Sequence, residues 1–164
     1  MRRTLASSIC SIALAFTAVA SAQPTTPSSA QSAASRTVAG EVLIVLATEL
    51  PGVIDPRLAH VPALRRPPFD SYRTMALLSS PRINLRVGQQ QVVELPNGRR
   101  IRVRLREVTP DGRFRIQVSI NRPGQQDYLP EMTAVAAPGD PFFIAGQAHA
   151  AGTLVIGIRL GEHA

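Results

Sequence analysis

On both sides of Asp111-Gly112 the chain alternates between large apolar and polar side chains. Ile101, Val103 and Leu105 alternate with Arg100, Arg102, Arg104 and Arg106; beyond the turn Phe114, Ile116, Val118 and Ile120 alternate with Arg113, Arg115, Gln117 and Ser119. A period of two puts successive side chains on opposite faces of a strand, whereas a helix would scatter both sets around its circumference. Thr109-Pro110-Asp111-Gly112 has turn chemistry, with Pro setting φ and Gly free to take a positive one. The spacing predicts a hairpin with one apolar face and one arginine-rich face.

The rest of the chain repeats the strand signature. Glu41 to Thr48 contains the unbroken run Val-Leu-Ile-Val-Leu before Pro51-Gly52, which reads as a buried strand. In the irregular stretch 51–69, Asp55 is placed to cap a short helical turn starting at Pro56, with Leu58, Val61 and Leu64 facing the core. Pro62 forbids a long helix there. Strands are expected over Asp70–Leu78, Ile83–Val87 and Gln91–Leu95. The Pro96-Asn97-Gly98 turn follows, then Arg99–Val108 and Arg113–Ile120. Further strands are expected over Tyr128–Ala136, Phe142–Ala148 and Thr153–Leu160. Pro130 points to an edge or a bulge, and Gly157 to a bulge or a close approach. About eight or nine short strands with Gly/Pro turns and minimal helix near 55–64 imply an antiparallel β-sandwich, with a small barrel as the alternative. The sandwich is preferred because the irregular connection lets the first strand sit apart from its neighbour in sequence.

The N-terminus has the pattern of an export leader. Arg2-Arg3 precedes the apolar stretch Leu5–Ala20, and Ala20-Ser21-Ala22 is a small-x-small cleavage site. Residues 1–22 are therefore expected to be removed, with no membrane-spanning segment left, and the product to act in the periplasm or outside the cell. Residues 23–37 contain no large apolar side chain and read as a tether before a single domain over 38–162. The single cysteine, Cys10, lies in the leader, so disulfides, thiol nucleophiles and thiolate metal sites are excluded from the mature chain.

Catalytic patterns are absent. There is no Gly-x-Ser-x-Gly elbow, and His60, His149 and His163 have no catalytic or metal-binding spacing. Asp127 and Glu131, if both on one strand, would be about 13 Å apart, beyond the glycosidase spacings. No cofactor is indicated. The reading is a non-catalytic binding or structural module of the bacterial cell envelope. A hydrolase with an unsignalled site, such as one built on His149 or His60, and a self-assembling subunit using free sheet edges are the alternatives.

All 18 basic side chains are arginine, which offers a planar fork for carboxylate or phosphate. The same bias is expected of an organism that uses Arg wherever others use Lys. Loss of Arg2 and Arg3 takes the formal charge from +7 to +5. Arg100, Arg102, Arg104, Arg106, Arg113 and Arg115 should share a face, joined by Arg82 and Arg86, which alternate with Ile83, Leu85 and Val87. Tyr128 and Phe143 are the candidate aromatic neighbours. Such a face suits an anionic envelope component or an acidic protein. Export and the lack of stacking aromatics argue against nucleic acid.

Overall fold

The computed structural model describes residues 37–161. The expected leader and all of the tether except Thr37 lie outside the described residues. Nine strands and two short 3₁₀ turns make up the fold: β1 (Thr37–Thr48), turns at Pro56–Leu58 and Pro62–Arg65, β2 (Thr74–Ser79), β3 (Arg82–Arg86), β4 (Gln90–Glu94), β5 (Arg100–Val108), β6 (Phe114–Ile120), β7 (Met132–Ala136), β8 (Phe142–His149) and β9 (Gly152–Leu160). Among the described residues no helix is long and apolar enough to cross a membrane.

The strands form two antiparallel sheets, an all-β sandwich-like fold. The first sheet has the order β2-β1-β9-β8, with β3 also on β1; the second has the order β4-β5-β6-β7. β1 is long enough to serve two partners on one edge: Thr37–Glu41 pairs with β3 and Ile44–Thr48 with β2. Its other edge pairs with β9, so the first and last strands of the sheet-forming chain are neighbours. The chain moves between sheets at the β3–β4 corner and again between β7 and β8.

The core between the sheets comes from the inward sets of alternating positions. It joins Ile83, Leu85, Ile101, Val103, Leu105, Ile116 and Val118 to Val42, Ile44, Leu154, Ile156 and Ile158. Each such aliphatic side chain contributes about 1.5–3 kcal/mol through removal from water.

The first sheet is covered on its other face too. Leu43, Val45, Ala47 and Val155 point outward and pack with Leu58, Val61, Leu64, Phe69 and Met75 in a second apolar cluster. This explains the unbroken run in β1, because a strand buried on both faces has no polar alternate positions. The irregular connection after β1 does not separate β1 from β2, since the two strands pair; its side chains supply the cover for the sheet. Asp55 caps the first turn through Arg57 N at 2.9 Å, and Leu58, Val61 and Leu64 are buried in this outer layer.

Other boundaries differ from expectation in small ways. The strand expected from Asp70 starts at Thr74, because Tyr72 N bonds the Phe69 carbonyl in a turn. The strand expected from Tyr128 starts at Met132, apart from an isolated bridge between Tyr128 and Asn121. Gly157 marks a close approach, since a Cβ there would sit 2.6 Å from Phe143 Cε1.

Candidate binding face

Register places four of the predicted arginines on the outer face of the second sheet. Arg100 opposes Glu94, Arg102 lies between Val92 and Ser119, and Arg104 lies between Gln90 and Gln117, with Thr133 next across β7. Arg115 lies between Glu107 and Val135. Neighbouring strands are about 4.8 Å apart, so these side chains form rows across the sheet.

The other four are placed differently. Arg82 and Arg86 do not join this face, because β3 belongs to the first sheet and buries Ile83 and Leu85 in the core. Their register partners are Glu41 and Thr37, and Arg86 Nε donates to Thr37 Oγ1 at 3.0 Å. Arg106 is the extra residue of a β-bulge: pairing jumps from Leu105 to Glu107, so the carboxylate of Glu107 takes the place beside Arg115 that alternation assigned to an arginine. Arg113 sits at the turn, where its guanidinium meets Asp111 at 3.2 Å. Asp111 has its pKa lowered, first by the Thr109 hydroxyl and also by Arg113, so it persists as the carboxylate that engages Arg113.

The segment between β6 and β7 crosses part of the face. Ser119 Oγ donates to the Leu129 carbonyl at 2.5 Å, and Ser119 is buried although its strand position is outward. Arg102 is held from two directions, with its guanidinium carbon 4.2 Å from the centre of the Tyr128 ring and Nη2 3.4 Å from Glu131. Tyr128 is therefore an aromatic neighbour of the face, as expected. Phe143 is not: it lies on the outer side of the first sheet, edge-on to Phe69 with ring centres 5.6 Å apart.

Arg100 and Arg104 differ from the rest of the face. Arg100 donates to Gln126 Oε1, and Arg104 Nη2 donates to Gln90 Oε1 at 2.7 Å. Among the described residues neither has a carboxylate within ion-pair distance, whereas Arg102 and Arg115 do, the latter with Glu107 at 3.1 Å. Neutral amides orient these two forks without cancelling their charge. Arg104 Nε and Gln117 Oε1, a donor and an acceptor on directly opposed residues, are both buried and without a hydrogen-bond partner. An unmet buried polar atom costs about 1–3 kcal/mol, so this row carries a local cost.

Sequence reading missed Arg99. Its guanidinium bonds the Asn121 carbonyl, with Nε at 2.8 Å, and the Gln147 side chain, tying the second sheet to β8 of the first. It also missed Gln90, Gln117 and Gln126, because an amide at an alternate position looks like generic surface until its partner is known. Clefts of about 340, 490 and 320 Å³ open on the surface, and none is lined by a histidine. Among the described residues no group of three or more His, Cys, Asp or Glu is arranged to hold a metal ion. No known protein family, curated protein or solved structure matches this chain.

Proposed function

We propose that this chain is an exported, non-catalytic binding module of the bacterial cell envelope that contacts an anionic partner through the outer face of its second sheet. Arg100 and Arg104 carry the contact, with Arg106 exposed on the adjoining bulge. The supporting observation is that Arg100 and Arg104 are positioned by Gln126 and Gln90 and form no ion pair among the described residues. A fork held in one orientation loses less conformational freedom on meeting a carboxylate or phosphate, and its bidentate geometry suits both. The export reading is supported by Arg2-Arg3, the apolar stretch behind it and Ala20-Ser21-Ala22.

The test is binding of the purified protein to a panel of polyanions across salt concentrations. Arg100→Gln/Arg104→Gln should weaken binding strongly and reduce its salt dependence, since exposed charges interact over a screening length of about 8 Å at physiological ionic strength. Arg113→Gln should change it little, because Asp111 already engages that charge. Binding by the double variant equal to the parent would remove this face from consideration. No binding by the parent at low salt would reduce the arginines to solvation.

A further inference from the structure

The sheet edges of this protein are unequally protected. The outer edge of β2 is occupied by the segment that follows β1. Asp55 N donates to the Met75 carbonyl at 2.8 Å, and Met75 N donates to the Val53 carbonyl at 3.3 Å. Further along, the Leu77 carbonyl accepts from Arg57 Nη2 at 2.9 Å, and Leu77 N donates to Asp55 Oδ2 at 3.3 Å. β3 and β4 meet at the corner between the sheets, where Asn84 N donates to Gln91 Oε1 at 3.0 Å and Leu105 N to the Gln89 carbonyl at 3.2 Å. β7 has five residues and lies between Pro130 and Pro138.

β8 is less protected, with Asp140-Pro141 at its start only. It has eight residues, Phe-Phe-Ile-Ala-Gly-Gln-Ala-His, with no Arg, Lys, Asp or Glu, and it pairs with β9 along one side only. Ala145 and Gly146 are exposed, and a Cβ built on Gly146 would meet nothing within 4 Å. Outside its ladder with β9, the hydrogen bond its backbone makes among the described residues is from Asn97 Nδ2 to the Ala148 carbonyl at 3.3 Å. A row of unpaired N–H and C=O groups is a template for another strand unless charge, proline or twist blunts it. The bulge between Ala145 and Gln147 twists the far half and leaves Phe142–Ala145 regular.

We propose that β8 accepts an antiparallel strand from a second copy of this chain, β8 against β8 about a two-fold axis, joining the two five-stranded sheets into one. A two-fold axis makes an antiparallel strand its own complement, which no parallel arrangement does. Charge restricts where two copies can meet. Without Arg2 and Arg3, copies carrying 16 of the 18 arginines against 11 acidic residues repel where their arginines meet, so a contact between them belongs on a neutral strand. That neutrality also gives a charged foreign peptide nothing to steer by.

The experiment is sedimentation of the purified protein over a wide concentration range, with amide hydrogen exchange read at low and high concentration. The expected result is a reversible monomer–dimer equilibrium, with β8 amides exchanging more slowly as concentration rises. Ala145→Lys, which sets two like charges beside the axis, should weaken self-association by about tenfold or more. Val92→Lys, on the outer face of the second sheet, should leave it unchanged. If Ala145→Lys does not fold, the concentration dependence of β8 exchange in the unaltered protein decides alone. A monomer at every concentration overturns the proposal, as does a dimer whose β8 amides stay unprotected. Both results leave the arginine-face reading intact, since it concerns the other sheet.

Discussion

Leu64→Ala tests whether the layer over the first sheet is part of the cooperative fold or a loop resting on it. Leu64 is 2% exposed in a cluster with Leu43, Val45 and Ala47 of β1, Val61, Phe69, Met75 and Val155. Truncation removes the transfer free energy of three carbon atoms and leaves a cavity between rigid neighbours, a loss of about 2–5 kcal/mol. That is a large share of the roughly 5–15 kcal/mol that holds a domain folded. With a urea slope of about 1–3 kcal/mol/M, the unfolding midpoint should fall by about 1 M or more at unchanged slope. Val53→Ala, 76% exposed in the same connection, should stay within about 0.5 kcal/mol of the parent. The transition should remain single, because β1 contributes Leu43 and Val45 to the outer cluster and Val42 and Ile44 to the sandwich core. A Leu64→Ala cost as small as that of Val53→Ala would refute the reasoning. So would a separate, earlier unfolding step for this layer.

Two further outcomes are expected. Asp55 accepts from the Arg57 side chain and backbone and from Leu77 N, and these bonds, the Arg57 side chain first, lower its pKa from 3.8 to about 2. A folded-state pKa below the unfolded one means a contribution to stability that is present above pH 3.8 and lost as pH falls towards about 2. Asp55→Asn should therefore flatten that stretch of the stability–pH curve, read as denaturant midpoints between those values; a curve of unchanged shape would remove Asp55 as its source. Gly157→Ala puts a methyl against the Phe143 ring and 3.3 Å from Leu43 Cβ, and the ring is held edge-on by Phe69. Overpacking there should cost about 1–3 kcal/mol in the same urea assay, whereas a neutral result would show that the ring moves aside freely.

The candidate face was partly legible from alternation. Arg100, Arg102, Arg104 and Arg115 point outward because period two survives along β5 and β6. Arg106 and Glu107 exchange roles because a bulge inserts one residue, which changes no local propensity strongly enough to be read. Arg82 and Arg86 alternate as regularly as the others, yet alternation says only which way a side chain points from its own strand. Membership of a sheet depends on where the chain turns the corner between β3 and β4, a matter of long-range pairing. The charge state of the face was equally hidden, since Glu131 reaches Arg102 from a segment 29 residues further along the chain.

By itself the sequence determined what each short segment could be: strands with apolar inner faces, turns at Asn97-Gly98 and Asp111-Gly112, and a capped turn at Asp55-Pro56. These follow from local sterics, period and turn chemistry, which act over a few residues. Only the tertiary structure decided that β1 pairs with β9, that residues 58–69 cover the back of the first sheet, and that Arg100 and Arg104 meet amides while Arg102 and Arg115 form ion pairs. Those outcomes depend on which apolar faces meet and which polar atoms then find partners. That choice is made by burial and hydrogen-bond satisfaction across the whole domain and not by any one segment.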